Sequence, residues 1–271
     1  MQHEMTQAPR IALVGASGWL GRYIGPALLR AGVTEPGRFG AVNRSGPSDA
    51  YAGFDGIEWV GALKDLSQTP DVVILSLRPH EFRTARFHCP DALVISVMAG
   101  VTVEELRAHT GSQRLLRALP NALAEVGQSY SPWLATPGVS ADERALGQEI
   151  LRGIGREAEV PDEAALDVLT TLSGAGPAFA ALLAQALIEA AKNAGLSEAV
   201  AQGAAENLIC GAAHLMAGKV GTAPAIVQSF LDYDGVIAAA LRAAQDAGFE
   251  QAVQAAVDAG LTRVQAMISE G

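Results

Sequence analysis

Gly15, Gly18 and Gly21 follow directly on the apolar run Ile11–Val14 and open the helically spaced stretch Leu20–Ala31. A strand that turns through glycines into a helix offers backbone N–H groups, and the positive end of the helix, to an anion. The missing side chains let a pyrophosphate come close. Gly15, Ala16, Ser17, Gly18, Trp19 and Leu20 are therefore candidate dinucleotide contacts, and Gly21 would let the helix pack on the strand. The spacing GxxGxxG is one residue longer than the common GxGxxG, so loop length alone selects no family.

The next strand-like run, Phe39–Val42, ends in Asn43, Arg44 and Ser45 rather than in Asp or Glu. An acid there would bind a ribose 2′-hydroxyl and repel a 2′-phosphate. An amide, a guanidinium and a hydroxyl instead favour the phosphate, which makes NADPH the expected cofactor. Later strand ends should line the same crevice, since ligands of open α/β sheets lie at the carboxyl ends of strands. They supply Leu77, Arg78 and Pro79 after one strand, Met98, Ala99 and Gly100 after the next, and Asn121 at the nicotinamide end.

These residues need a frame to hold them. Strand signals at Ile11–Val14, Phe39–Val42, Val72–Ser76, Leu93–Val97 and Leu115–Ala118 alternate with helical stretches at Leu20–Ala31, around Leu63–Leu66, at Glu81–Arg86 and at Val103–His109. The strands are apolar throughout, as in a parallel sheet covered on both faces. After Pro161 strand signals nearly vanish, and apolar residues recur at helical spacing over 179–194, 197–217 and 247–268. The expected fold class is α/β: a Rossmann doubly wound parallel sheet over 1–161, then an all-α dimerisation domain over 162–271. The helix 179–194 is apolar on nearly every side, which predicts burial on several faces and association with a second subunit.

Composition narrows the function. A net charge of −10 over 271 residues disfavours a nucleic-acid or anionic-membrane surface. Two distant cysteines, Cys89 and Cys210, fit neither a disulfide framework nor a zinc site and suit a reducing compartment. The first ten residues are polar and unlike a targeting peptide, and the longest apolar stretch, Ala178–Ile188, is too short to span a bilayer. A cytoplasmic location is expected. The five histidines show no ligand spacing, no metal is expected, and no GxSxG, HExxH or CxxC occurs.

The combined pattern resembles the pyrroline-5-carboxylate reductase family from residue 10 to 268. The matching segments are 72–79, 95–101, 117–121, Leu172-Ser173-Gly174-Ala175-Gly176-Pro177-Ala178-Phe179, Ala194-Gly195-Leu196, Gly211-Ala212-Ala213 and Gly248-Phe249. The resemblance implies a helical domain intertwined in a homodimer, in some members built into larger rings. It also implies reduction of the cyclic imine 1-pyrroline-5-carboxylate to proline, with hydride passing from nicotinamide C4 to the imine carbon. Positioning and desolvation would then outweigh acid–base chemistry.

The substrate loop departs from the family. Leu231-Asp232-Tyr233-Asp234-Gly235-Val236-Ile237 replaces a proline- and glycine-rich loop ending in threonine, with Val236 in a threonine position. Gly174, Asp234, Gly235 and Val236 are the candidate substrate contacts. Tyr233 is either a general acid or a packing residue, Glu163 either lies near the substrate or serves its helix dipole, and Ser173 either bonds near the substrate or caps the helix after Pro177. The altered loop admits a different imine, amino-acid or hydroxy-acid substrate. A cofactor-binding regulatory or scaffold protein without catalysis is a further alternative.

Overall fold

A computed structural model describes residues 7–270, so His3 and most of the polar leader lie outside the described residues. The chain divides into two compact units. One runs to Gly176 and takes in the chain from Gly260 on, and the other is Pro177–Ala259.

The first unit is built on one eight-stranded sheet. Its strands are β1 (Ile11–Val14), β2 (Phe39–Val42), β3 (Glu58–Val60), β4 (Val72–Leu75), β5 (Leu93–Ser96), β6 (Leu115–Ala118), β7 (Ser129–Ala135) and β8 (Gly155–Glu159). They lie in the order β3-β2-β1-β4-β5-β6-β7-β8. The first six are mutually parallel, and β7 runs antiparallel to β6 while pairing parallel with β8. The order reverses between β1 and β4, which opens a crevice at their carboxyl ends.

Alternation along the strands sorts side chains to two faces. Ile11, Leu13, Ile74 and Ile95 pack with Ile24 and Leu28 of α1 (Gly21–Arg30). Ala12, Val14, Val73 and Leu75 face the other way, onto Phe82 of α2 (Pro79–Thr84) and Leu106 of α3 (Val103–Thr110). Both faces are thus covered, as continuous apolar strands require. Ile150 and Leu151 of α4 (Ala141–Arg152) join the α1 side. Leu166 of α5 (Glu163–Leu172) packs with Leu119 and Leu134. Sequence composition therefore changes at Pro161, whereas packing changes only after Gly176.

Three strands carried no usable sequence signal. β3 is three residues long, β7 contains Pro132, and β8 reads Gly-Arg-Glu-Ala-Glu at the sheet edge, where charge is tolerated. The stretch expected to be helical around Leu63–Leu66 makes only a single 3-10 turn, Leu63–Asp65.

The second unit is helical throughout: α6 (Ala178–Asn193), α7 (Glu198–Glu206), α8 (Ala212–Met216), α9 (Ala223–Tyr233) and α10 (Val236–Asp246), followed by the first half of α11 (Phe249–Ser269). A π-helical turn, Asn207–Gly211, joins α7 to α8. The sequence predicts burial for the helix around 179–194, yet none of α6 is buried within the single chain. Leu182 is 62% exposed and Leu215 64%, so the unit leaves a large apolar surface uncovered. One chain simply has too few helices here to enclose them. No described helix is long and apolar enough to cross a membrane.

Candidate active site

The glycine loop is shaped by contacts that only glycine tolerates. Gly15 has φ +84°, and a Cβ there would overlap the Ser76 carbonyl at the end of β4. A Cβ on Gly21 would overlap the Gly15 carbonyl. The loop is pinned by Gly15 N–H to Val42 O and by Gly18 N–H to Gly15 O, each at 2.9 Å. Among the described residues, the amides of Ser17, Trp19 and Leu20 make no hydrogen bond. All three line a cleft of about 1420 Å³ at the strand ends. Free N–H groups at the start of the ten-residue α1 are what a pyrophosphate would need.

The same cleft is lined by Gly15, Gly18, Asn43, Arg44, Leu77 and Arg78. Ser45 sits beside it, its hydroxyl 3.5 Å from that of Ser17 and 2.7 Å from the Asn43 amide nitrogen, which donates to it. Arg44 projects into solvent with its side chain 85% exposed and pairs with Glu81 Oε1 at 3.0 Å. Ala16 is buried beneath the loop, and Pro79 starts α2 without lining the cleft.

Met98, Ala99 and Gly100 do not line this cleft either. Met98 is buried, Ala99 packs beside Leu119 and Leu166, and Gly100 (φ +69°) lies under Met267 of α11. Arg83 secures that region. Its guanidinium donates to the Gly100 and Met267 carbonyls, both at 2.9 Å, and pairs with Glu105 at 2.8 Å. Burial pushes the Glu105 carboxyl up, but the hydrogen bond and charge of Arg83, with the Thr102 amide, outweigh it and hold it below the ordinary carboxylate range.

Asn121 is a buried tether. It donates from Nδ2 to the Ser173 carbonyl at 2.8 Å and accepts from Leu123 N–H at 3.0 Å. The Ser173 hydroxyl donates to the Leu169 carbonyl at 2.8 Å, so it is committed to the end of α5 and caps no helix after Pro177. Gly174 follows, where a Cβ would overlap the Thr170 carbonyl.

Glu163 accepts from the Val103 amide at 3.0 Å and from Arg117 of β6. Arg117 is 1% exposed, its Nη2 is 3.9 Å from Asp167 Oδ1, and its Nε and Nη2 have no hydrogen-bond partner. Burial raises the Asp167 carboxyl, Arg117 lowers it, and Glu163 raises it again; the balance is upward. Glu163 thus joins β6, α3 and α5 in one charged cluster.

The altered loop lies in the helical unit. Tyr233 is 84% exposed and Val236 86%. Asp234 has φ +52°, the one positive φ outside glycine among the described residues. It pairs with Arg242 Nη1 at 2.6 Å, and Asp232 accepts from Gln228 at 2.8 Å. Gly235 begins α10.

Two residues of the cofactor region escaped the sequence reading. Tyr51 donates from its buried hydroxyl to the carbonyls of Gly21 and Ala16. Glu81 reaches Arg44 across the cleft. Neither belongs to a motif, and only their fold neighbours reveal them. Cys89 lines the cleft, but burial pushes its thiol up to about 11, which leaves it protonated and inert at neutral pH. No described group of His, Cys, Asp and Glu residues is arranged to hold a metal ion.

Residues 163–267 match the family model described as pyrroline-5-carboxylate reductase dimerisation. The chain is 30% identical over 262 residues to a pyrroline-5-carboxylate reductase of Pseudomonas aeruginosa, covering 94% of this chain and 95% of that relative. A solved pyrroline-5-carboxylate reductase of Coxiella burnetii superposes with a TM-score of 0.81 at 26% identity, covering 96% of this chain and 99% of that one. The Plasmodium falciparum pyrroline carboxylate reductase solved with NADP bound shares the fold at a TM-score of 0.79 and 19% identity, over 97% of this chain and 100% of that one.

Proposed function

The chain belongs to the pyrroline-5-carboxylate reductase family, and from that premise we propose that it reduces 1-pyrroline-5-carboxylate to proline with NADPH. The end-to-end match to the Pseudomonas aeruginosa relative carries this reading. When bound, NADPH supplies a hydride donor at nicotinamide C4. The protein's share is binding and orientation. The Ser17, Trp19 and Leu20 amides would hold the pyrophosphate at the start of α1, and Asn43, Arg44 and Ser45 would hold the 2′-phosphate. An iminium carbon is already electrophilic, so Tyr233, Ser173 and Glu163 are not required to form a relay. Ser173 and Glu163 instead fix α5 and the Gly174–Gly176 turn.

The uncovered apolar helices of the second unit support a homodimer formed through this region, with each helix surface shielded by the partner. Two cysteines without a bridge are consistent with a reducing, cytoplasmic setting. The match of 163–267 to the dimerisation model supports a cofactor domain over 1–161 and a dimerisation domain over 162–271, with α5 and the end of α11 packed in the sheet unit.

The test is the oxidation of NADPH with pyrroline-5-carboxylate, followed by absorbance, with proline measured as product. Absence of turnover in protein shown to bind NADPH would sink the proline assignment. The loop Leu231–Ile237 favours one second reading, a different imine, amino-acid or hydroxy-acid substrate, because it replaces the proline- and glycine-rich loop of the family. A panel of cyclic imines and carbonyl acids separates the two.

A further inference from the structure

We propose that Glu81 is a selectivity residue of the cofactor site: it holds Arg44 across the cleft and must surrender it to a 2′-phosphate. The proposal rests on the reading of Arg44 as the 2′-phosphate ligand. Both residues line the same cleft, Arg44 from the loop after β2 and Glu81 from α2. Their side chains meet at 3.0 Å, Nη2 to Oε1.

The two partners are not equally mobile. Glu81 is restrained at its carboxylate, because its other oxygen, Oε2, accepts from the Arg78 amide at 3.3 Å and so staples the start of its own helix. Its side chain is 35% exposed, against 85% for Arg44. Arg44 is therefore the member that moves, and Glu81 the one that waits. An ion pair this exposed is weak, so a phosphate with three acceptor oxygens and greater charge can take the guanidinium from a lone carboxylate. The exchange has a cost. Glu81 stays anchored where it is, unpaired, with its negative charge next to the incoming phosphate.

A cofactor without the 2′-phosphate neither takes Arg44 nor meets this repulsion. Glu81 thus opposes the phosphorylated dinucleotide alone, and it moderates the preference that Asn43, Arg44 and Ser45 create. Glutamine removes the charge while its carbonyl oxygen still accepts from the Arg78 amide, so Glu81→Gln leaves the helix start in place.

The experiment uses fragments that differ only in the phosphate. Binding of 2′,5′-ADP and of 5′-AMP to the wild type, E81Q, R44A and the R44A/E81Q pair is measured by isothermal titration calorimetry, with circular dichroism as a check on folding. E81Q should tighten 2′,5′-ADP by about twofold to fivefold, the range open to a solvent-exposed charge pair, and move 5′-AMP by less than about 1.5-fold. In the R44A background the gain should shrink to the smaller part owed to direct repulsion, because the competition for Arg44 is gone. Equal effects of E81Q on the two probes, or none, while R44A still discriminates between them, would overturn the role of Glu81 alone. Equal weakening of both probes by R44A would overturn the reading of Arg44, and the role of Glu81 with it.

Discussion

The Tyr51 hydroxyl donates to the Gly21 carbonyl at 2.9 Å and to the Ala16 carbonyl at 3.1 Å, clamping both ends of the glycine loop from beneath. Gly25 makes room for the clamp, since a Cβ there would overlap the Tyr51 hydroxyl. Burial raises the phenol far above its ordinary range, so it remains a donor at every accessible pH. Tyr51→Phe keeps the ring contacts with Phe39 and Trp59 and removes the hydroxyl donor from both carbonyls. We expect a loss of about 1–3 kcal/mol in stability. NADPH and NADH should weaken by the same factor, because the loop serves the pyrophosphate common to both. Titration of each cofactor, with a thermal melt, checks this, and a cofactor-selective loss would contradict it.

Arg44→Ala should act in the opposite way. A charge-assisted hydrogen bond to phosphate is worth about 1.5–3 kcal/mol, which corresponds to roughly a tenfold to hundredfold loss for NADPH. NADH should change little. Fluorescence titration can follow both, since Trp19 lines the cleft. Equal losses would show that Arg44 does not hold the 2′-phosphate.

Sequence and structure agree where one local rule dominates. The strands at Ile11–Val14, Phe39–Val42 and Leu115–Ala118 are bounded in the fold as their apolar runs predict, because nothing competes with burial on both faces. Gly15 and Gly21 announce the loop because close backbone approach excludes every other residue. Tyr51 and Glu81 were illegible for the converse reason. Each acts on a residue at least thirty positions away, through contacts that no spacing rule encodes. Strand β8 was hidden because an edge strand can be polar. Helix α6 has no buried residue within one chain because an apolar sequence reports what must be covered, and the cover expected from the sequence is a second subunit.

Glu105 gives a prediction with a defined pH sign. Its carboxyl is held below the ordinary range in the folded chain, so its contribution is fully present above the unfolded carboxylate range. That contribution is lost as pH falls through the lower, folded value. Glu105→Gln should cost roughly 1–3 kcal/mol at neutral pH, by loosening Arg83 from the Gly100 and Met267 carbonyls. Urea denaturation of both proteins should show the gap closing below about pH 4. A gap independent of pH would place the effect elsewhere.

The Arg117 cluster should respond with the reverse sign. Asp167 is already raised, so protonating it stabilises the fold, and its ionisation costs stability as pH rises. Arg117→Met removes the one charge that opposes this rise and leaves Glu163 and Asp167 facing each other. The expected cost is about 3–5 kcal/mol at neutral pH, growing as pH rises through the further-raised Asp167 ionisation. Adding Asp167→Asn to Arg117→Met should recover part of it. If the second change deepens the loss, Asp167 is not the stranded charge.

The acids of the altered loop need not exclude an anionic substrate. Asp234 is engaged by Arg242 at 2.6 Å, and the Arg242 Nη2 also reaches the Leu231 carbonyl at 3.4 Å, so the turn presents a neutralised pair. Asp tolerates its positive φ better than most side chains, and the ion pair holds it there. Arg242→Ala would free one negative charge beside Gly235 and Val236 without touching the glycine loop. KM for pyrroline-5-carboxylate should then rise on the order of threefold to tenfold with kcat little changed, since the added repulsion acts on bound substrate and transition state alike. The affinity for NADPH should stay the same. A fall in kcat at constant KM would instead assign Arg242 to the chemical step, and an unchanged KM would place the Asp234 turn away from the substrate.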